Sequence, residues 1–165
     1  MDLSLIIIST ICLLLFILLL VLANKSKKKK QARFLDPLNS LAESANCRIS
    51  THNIWNNSVI GFDETRHFIF AIHGTKTGRV ELAINLAEIF RCKVSEISRS
   101  SGPKDGNLKI FDRIDLVFVN KDKNKADIVV PFYDAGIDRL TLAGELQLAE
   151  KWCVLANNGI AKIGK

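Results

Sequence analysis

The sequence predicts a mainly β protein with α elements: an N-terminal transmembrane helix, then about seven antiparallel strands capped by a C-terminal amphipathic helix. Three observations predict it. Residues 3–23 carry no charge. From Cys47 to Asp134, apolar and polar residues alternate between clusters of turn formers. From Leu142 on, apolar residues recur at steps of four and three. The expected division is a transmembrane anchor (1–24), a basic juxtamembrane segment with a short helix (25–46), and the β domain with its terminal helix (47–165).

The first stretch, LSLIIISTICLLLFILLLVLA, rises about 31 Å as a helix, against a hydrocarbon core roughly 30 Å thick. Asp2 precedes it; Lys25, Lys27, Lys28, Lys29, Lys30 and Arg33 follow it. A cleaved signal peptide has the reverse order of charges, and basic residues beside a spanning helix stay inside. The expectation is therefore a single-pass protein of the cell (inner) membrane. Residues 3–23 meet the lipid bilayer, the N-terminus lies outside, and the domain is cytoplasmic. Cys47, Cys92 and Cys153, an odd set without CxxC spacing, read as reduced buried thiols.

A short helix follows, with Asp36 as cap and Pro37 at its first position. Leu38, Leu41 and Ala45 share one face, and Asn46 ends it. The strands are expected at 48–55, 58–63, 67–72, 79–86, 89–98, 109–120 and 126–133. Asn56-Asn57 and Gly74 to Gly78 supply turns, and Ala87-Glu88 a bend. The composition SSGPKDGN makes 100–107 a loop. Pro131 requires an edge or a bulge in the seventh strand. The terminal helix takes Asp138 as cap, an apolar face of Leu142, Leu146, Ala149, Cys153 and Ala156, and Asn157-Asn158-Gly159 as stop.

The net charge of +6 belongs to the N-terminal edge. Residues 1–33 hold six basic groups and one acid; residues 34–165 hold seventeen basic and sixteen acidic groups. A nearly neutral domain argues against nucleic-acid binding, which needs a basic face. Enzyme motifs are missing from the sequence. GTKTG at 74–78 lacks the spacing of a phosphate loop, and a strand follows it instead of a helix. His52, His67 and His73 show neither HxH nor HxxxH spacing, so no metal is expected. The acidic pairs Asp63-Glu64 and Asp112/Asp115 fit turns and strand edges, and Asp122/Asp127 lacks the glycine and glutamate of an EF-hand loop. No serine sits in GxSxG. The reading is of a protein without catalytic residues or cofactors.

Four segments carry a family resemblance. These are GFDE, turn, HFIFAI at 61–72; INLAEIFRCKV at 84–94; IDLVFVNKDKNKADIVVPFYD at 114–134; and ELQLAEKW at 145–152. Over about residues 47–157 the chain resembles bacterial pleckstrin-homology-like (PH-like) domains, among them membrane-anchored members. The resemblance implies seven strands closed by a terminal helix, and a scaffold role. Phosphoinositide-binding members carry a basic cluster around their first hairpin. Here only Arg48 and His52 precede the Asn56-Asn57 turn, so an inositol-lipid site is not implied.

The expected function is a membrane-anchored cytoplasmic interaction module, a protein-binding scaffold at the inner leaflet with an unknown protein partner. The alternative is a sensor of anionic lipid, with a small enzyme ranked below both. Lys25, Lys27, Lys28, Lys29, Lys30 and Arg33 are the candidate contacts to anionic lipid headgroups. The loop bearing Arg99, Lys104, Asp105 and Lys109, long and mixed in charge, is the candidate partner surface.

Overall fold

The computed structural model describes residues 31–76, 78–100, 109–138 and 142–164, together with Leu13 and Phe16. The chain divides into two compact units, Met1–Asp36 and Pro37–Lys165. In the first, residues 31–36 are helical, and Leu13 and Phe16 are exposed helical residues.

The second unit holds the β domain. Strands β1 (Thr51–Trp55), β2 (Ser58–Asp63), β3 (Phe68–Thr75) and β4 (Gly78–Asn85) form an antiparallel meander. A 3-10 turn, Leu86–Glu88, carries the chain across to a second antiparallel sheet of β5 (Ile89–Ser100), β6 (Lys109–Asn120) and β7 (Ile128–Asp134). Helix α1 (residues 31–44) precedes the strands. Helix α2 (Glu145–Ile163) follows them and packs on β5, β6, β7 and the 3-10 turn.

Period two explains the sheets. Ile60 and Phe62 of β2, Ile69 and Ala71 of β3, Ile114, Leu116 and Phe118 of β6, and Val130 and Phe132 of β7 all enter one core. Trp152 of α2 is fully buried in it, and its Nε1 donates to Asn53 Oδ1 of β1 at 3.1 Å. Burying so large a ring while satisfying its one polar atom makes α2 part of the core rather than an appendage. The opposite face of β2 and β3 is also covered. Leu38 and Ala42 of α1 are buried, Leu38 over Gly61, and Phe70 has no exposure. Pro131 sits at an irregularity, where the pairing of β6 with β7 steps from Tyr133 to Pro131. Because Pro131 has no N–H to donate, the ladder skips there.

Several expectations are corrected. Among the described residues no helix is long and apolar enough to cross a membrane. The expected spanning helix at 3–23 lies outside the described residues apart from Leu13 and Phe16. The transmembrane part of the fold class and the single-pass inner-membrane localisation are therefore withdrawn, because the orientation rested on that helix. The two helices described are amphipathic and charged. α1 bears Arg33, Asp36 and Glu43, and α2 bears Glu150, Lys151 and Lys162.

Local signals also shift. Residues 31–36 are already helical, so Asp36 is not a cap. His67, at φ 57°, closes the β2–β3 turn instead of opening β3. Asp138 does not start α2, which begins at Glu145 behind Gly144 (φ 109°). Nor does α2 stop at Asn157 to Gly159. The Asn157 side chain instead pairs with the β5 backbone, accepting from Cys92 N and donating to Cys92 O, both at 2.9 Å. Gly159 is a close approach: a Cβ there would lie 2.8 Å from Leu86 Cδ1.

Candidate functional site

The β1–β2 hairpin lies beside β7, the edge strand of the second sheet. Asn56 takes a left-handed backbone (φ 42°), a conformation asparagine tolerates, and this permits the tight Asn56-Asn57 turn. Directly before the turn, Trp55 stacks on Phe132 of β7, with ring centroids 4.4 Å apart and planes 13° from parallel. Its Nε1 donates to Phe132 O at 3.0 Å. One side chain thus fastens the first sheet to the free edge of the second.

Beside this pair lies the end of β3. Gly74 N donates to Asn57 O at 3.0 Å, and a Cβ on Gly74 would fall 2.0 Å from Asn57 Nδ2. Any larger residue would displace the Asn57 side chain. The chain leaving β7 makes the facing wall. Asp134 Oδ1 accepts from Gly136 N (2.8 Å), Asp138 N donates to Asp134 O (2.7 Å), and Asp134 N donates to Asp138 Oδ2 (2.9 Å). The Asn56 side chain lies beside the Asp138 carboxyl.

Between these segments lies a cleft of about 400 Å³. Trp55 and Phe132 supply its aromatic part, His73 to Lys76 one wall, Asp134 to Asp138 the other, with Arg113 and Pro131 between them. Ile137, 52 % exposed, is an apolar residue at the rim.

The charges are partly spent. Arg113 Nε lies 2.8 Å from Asp115 Oδ2, and that hydrogen bond holds the guanidinium firmly protonated. Burial, then the neighbouring charges of Asp134 and Glu145, raise Asp138 above the usual carboxylate range, despite the backbone donor it accepts. Burial raises the Tyr133 phenol, helped by the same acids. Desolvation lowers His73, so its imidazole is neutral near pH 7. Its Nδ1 is buried without a hydrogen-bond partner among the described residues. Buried polar atoms are normally paired; this one, like His67 Nδ1, is closed off from solvent and is not itself presented to the cleft. The cleft therefore combines apolar surface and the neutral His73 ring with the carboxylates Asp134 and Asp138 and the cations Lys76 and Arg113.

The residues expected from sequence lie elsewhere. Lys25, Lys27, Lys28, Lys29, Lys30, Lys104 and Asp105 fall outside the described residues. Arg33 is exposed on α1. Arg99 pairs with Asp112 at 3.1 Å, and Lys109 opens β6. The three histidines sit apart, on β1, in the β2–β3 turn and near the end of β3. No cluster of three or more His, Cys, Asp or Glu able to hold a metal occurs among the described residues. Sequence reading missed the cleft. Its signals, Asn56-Asn57, Gly74 and Pro131, were each legible as turn or bulge, but nothing in their spacing joins them.

Compared with protein-family models, curated proteins and solved structures, the chain matches none of them.

Proposed function

We propose that the chain is a PH-like interaction module that takes a segment of a protein partner into the cleft between Trp55, His73 and Asp138. Two antiparallel sheets crossed by a terminal helix are compatible with that fold, and the sequence resemblance points the same way. The observation that carries the binding reading is the cleft itself, lined by Trp55, His73 and Pro131, with exposed Ile137 at its rim. Concave sites with an apolar surface and a few convergent polar groups are where ligands bind. A polypeptide supplies apolar side chains for the part of the cleft that Trp55, Pro131 and Ile137 line.

An anionic headgroup fits less well. Asp134 and Asp138 line the cleft and repel phosphate, Arg113 Nε is engaged by Asp115, and Lys76 is the other cation in the lining.

Photo-crosslinking tests the proposal. A benzophenone amino acid replaces Ile137 at the cleft, or Lys123 in the β6–β7 turn. The expected result is a protein adduct of defined mass from position 137, absent from position 123 and at least several-fold weaker when His73→Ala is added. Equal adducts at both positions, or none at 137, would contradict it. Sedimentation with phosphatidylserine vesicles that is lost on His73→Ala would favour the lipid alternative.

A further inference from the structure

The cleft does not use the cysteines, yet the fold brings two of them together. Cys92 lies in β5 and Cys153 in α2, 61 positions apart in the chain. Cys153 Sγ donates to Cys92 O at 3.3 Å. Asn157, one turn further along α2, binds both the N–H and the C=O of Cys92 at 2.9 Å, and its Nδ2 donates to Cys153 Sγ at 3.5 Å. A single amide side chain thus holds the helix against the strand edge at the level of the two thiols. Cys92 is buried, Cys153 is half-buried, and both are free thiols.

We propose that Cys92 and Cys153 form a reversible disulfide that fastens α2 to β5 when a small disulfide such as oxidised glutathione is present. Exposure assigns the order of events. Cys153, the accessible thiol, loses its proton and attacks one sulfur of oxidised glutathione. A Cys153–glutathione bond forms, and one glutathione thiolate leaves and takes up that proton. Cys92 then loses its proton and attacks Cys153 Sγ. The Cys92–Cys153 bond forms, and the second glutathione leaves as thiolate and is protonated. Two protein thiols are oxidised, and one glutathione disulfide is reduced to two thiols.

Burial, reinforced by the neighbouring Cys153, holds the Cys92 thiol strongly protonated. The second step is accordingly slow, and the state is read at equilibrium. The fold gives the cross-link a consequence. The residue before Cys153 is Trp152, which hydrogen-bonds Asn53 of β1, two residues before the cleft's Trp55.

The test equilibrates the full chain in glutathione buffers of stepped redox ratio, quenches with acid, alkylates free thiols and maps peptides by mass. The expected product is a Cys92–Cys153 peptide pair lacking two hydrogens. Cys92→Ser should leave a stable glutathione adduct on Cys153. Cys47→Ser should change nothing. Amide exchange over residues 145–163 should slow at least tenfold in the oxidised wild type. The proposal is overturned if the wild type stops at the Cys153 adduct, if Cys92 pairs with another cysteine, or if exchange in α2 is unchanged. Mapping the wild-type product needs no variant, so a misfolded Cys92→Ser would not protect the idea.

Discussion

At the scale of single residues, two titratable groups make the domain lose stability on acidification, each for a different reason. Asp63, 3 % exposed, accepts from the backbone N–H groups of Arg48 (2.7 Å), Thr65 (2.8 Å) and Arg66 (3.0 Å). Burial pushes its carboxyl up, but the backbone donors outweigh burial and hold it below its ordinary 3.8. A depressed folded value means stability that is present above pH 3.8 and lost as the pH falls further. Asp63→Asn should cost about 1–3 kcal/mol at neutral pH and flatten that acid limb, read from urea midpoints between pH 5 and about 2.5. His73 acts in the same direction at higher pH. Burial lowers it from 6.5, so the unfolded chain takes the proton first. Stability is flat above pH 6.5 and declines as the pH drops through 6.5 towards the folded value. His73→Gln should remove that decline, and an unchanged slope would show that another group causes it.

At the scale of elements, α2 shows what decides a helix boundary. Asn157-Asn158-Gly159 has the composition of a stop, yet the helix runs on to Ile163. Asn157 spends its amide on the β5 edge, and Gly159 lets α2 approach Leu86 and Phe62. Adding a methyl at 159 gains about 1 kcal/mol of helix propensity, but overpacking costs about 1–3 kcal/mol. Leu86 is fully buried and cannot step aside. Gly159→Ala should therefore lose stability in chemical denaturation; a gain would contradict the packing described. The strands were more legible. KIFDRIDLVFVN places Ile114, Leu116 and Phe118 in the core at period two, a local consequence of the pleat, whereas SVIGFD is buried on both faces and is delimited by the turns on either side of it. Asp138 looked like a helix cap because a cap and a turn closure use the same carboxylate. The choice between them depends on Asp134, Asn56 and the buried surroundings, none of which a one-dimensional window displays. The cleft was illegible for the same reason: four segments distant in sequence build it.

At the scale of the whole molecule, two tryptophans hold the β domain together. Trp55 ties β1 to the edge of β7, and Trp152 ties α2 to β1. Trp152→Ala removes a fully buried ring and should cost about 3–5 kcal/mol, a large part of the roughly 5–15 kcal/mol that holds a domain folded. A thermal midpoint close to wild type would refute its central place. With these fastenings in place, the fold leaves a concavity beside Asn56-Asn57 with exposed Ile137 at its rim. Hydrogen exchange of the full chain, free and bound to the partner segment that crosslinking at position 137 identifies, tests this most directly. Protection should appear in residues 55–58, 73–76 and 131–138. Protection confined to 91–99 or 121–127, with those three segments unchanged, would contradict the cleft as the binding surface.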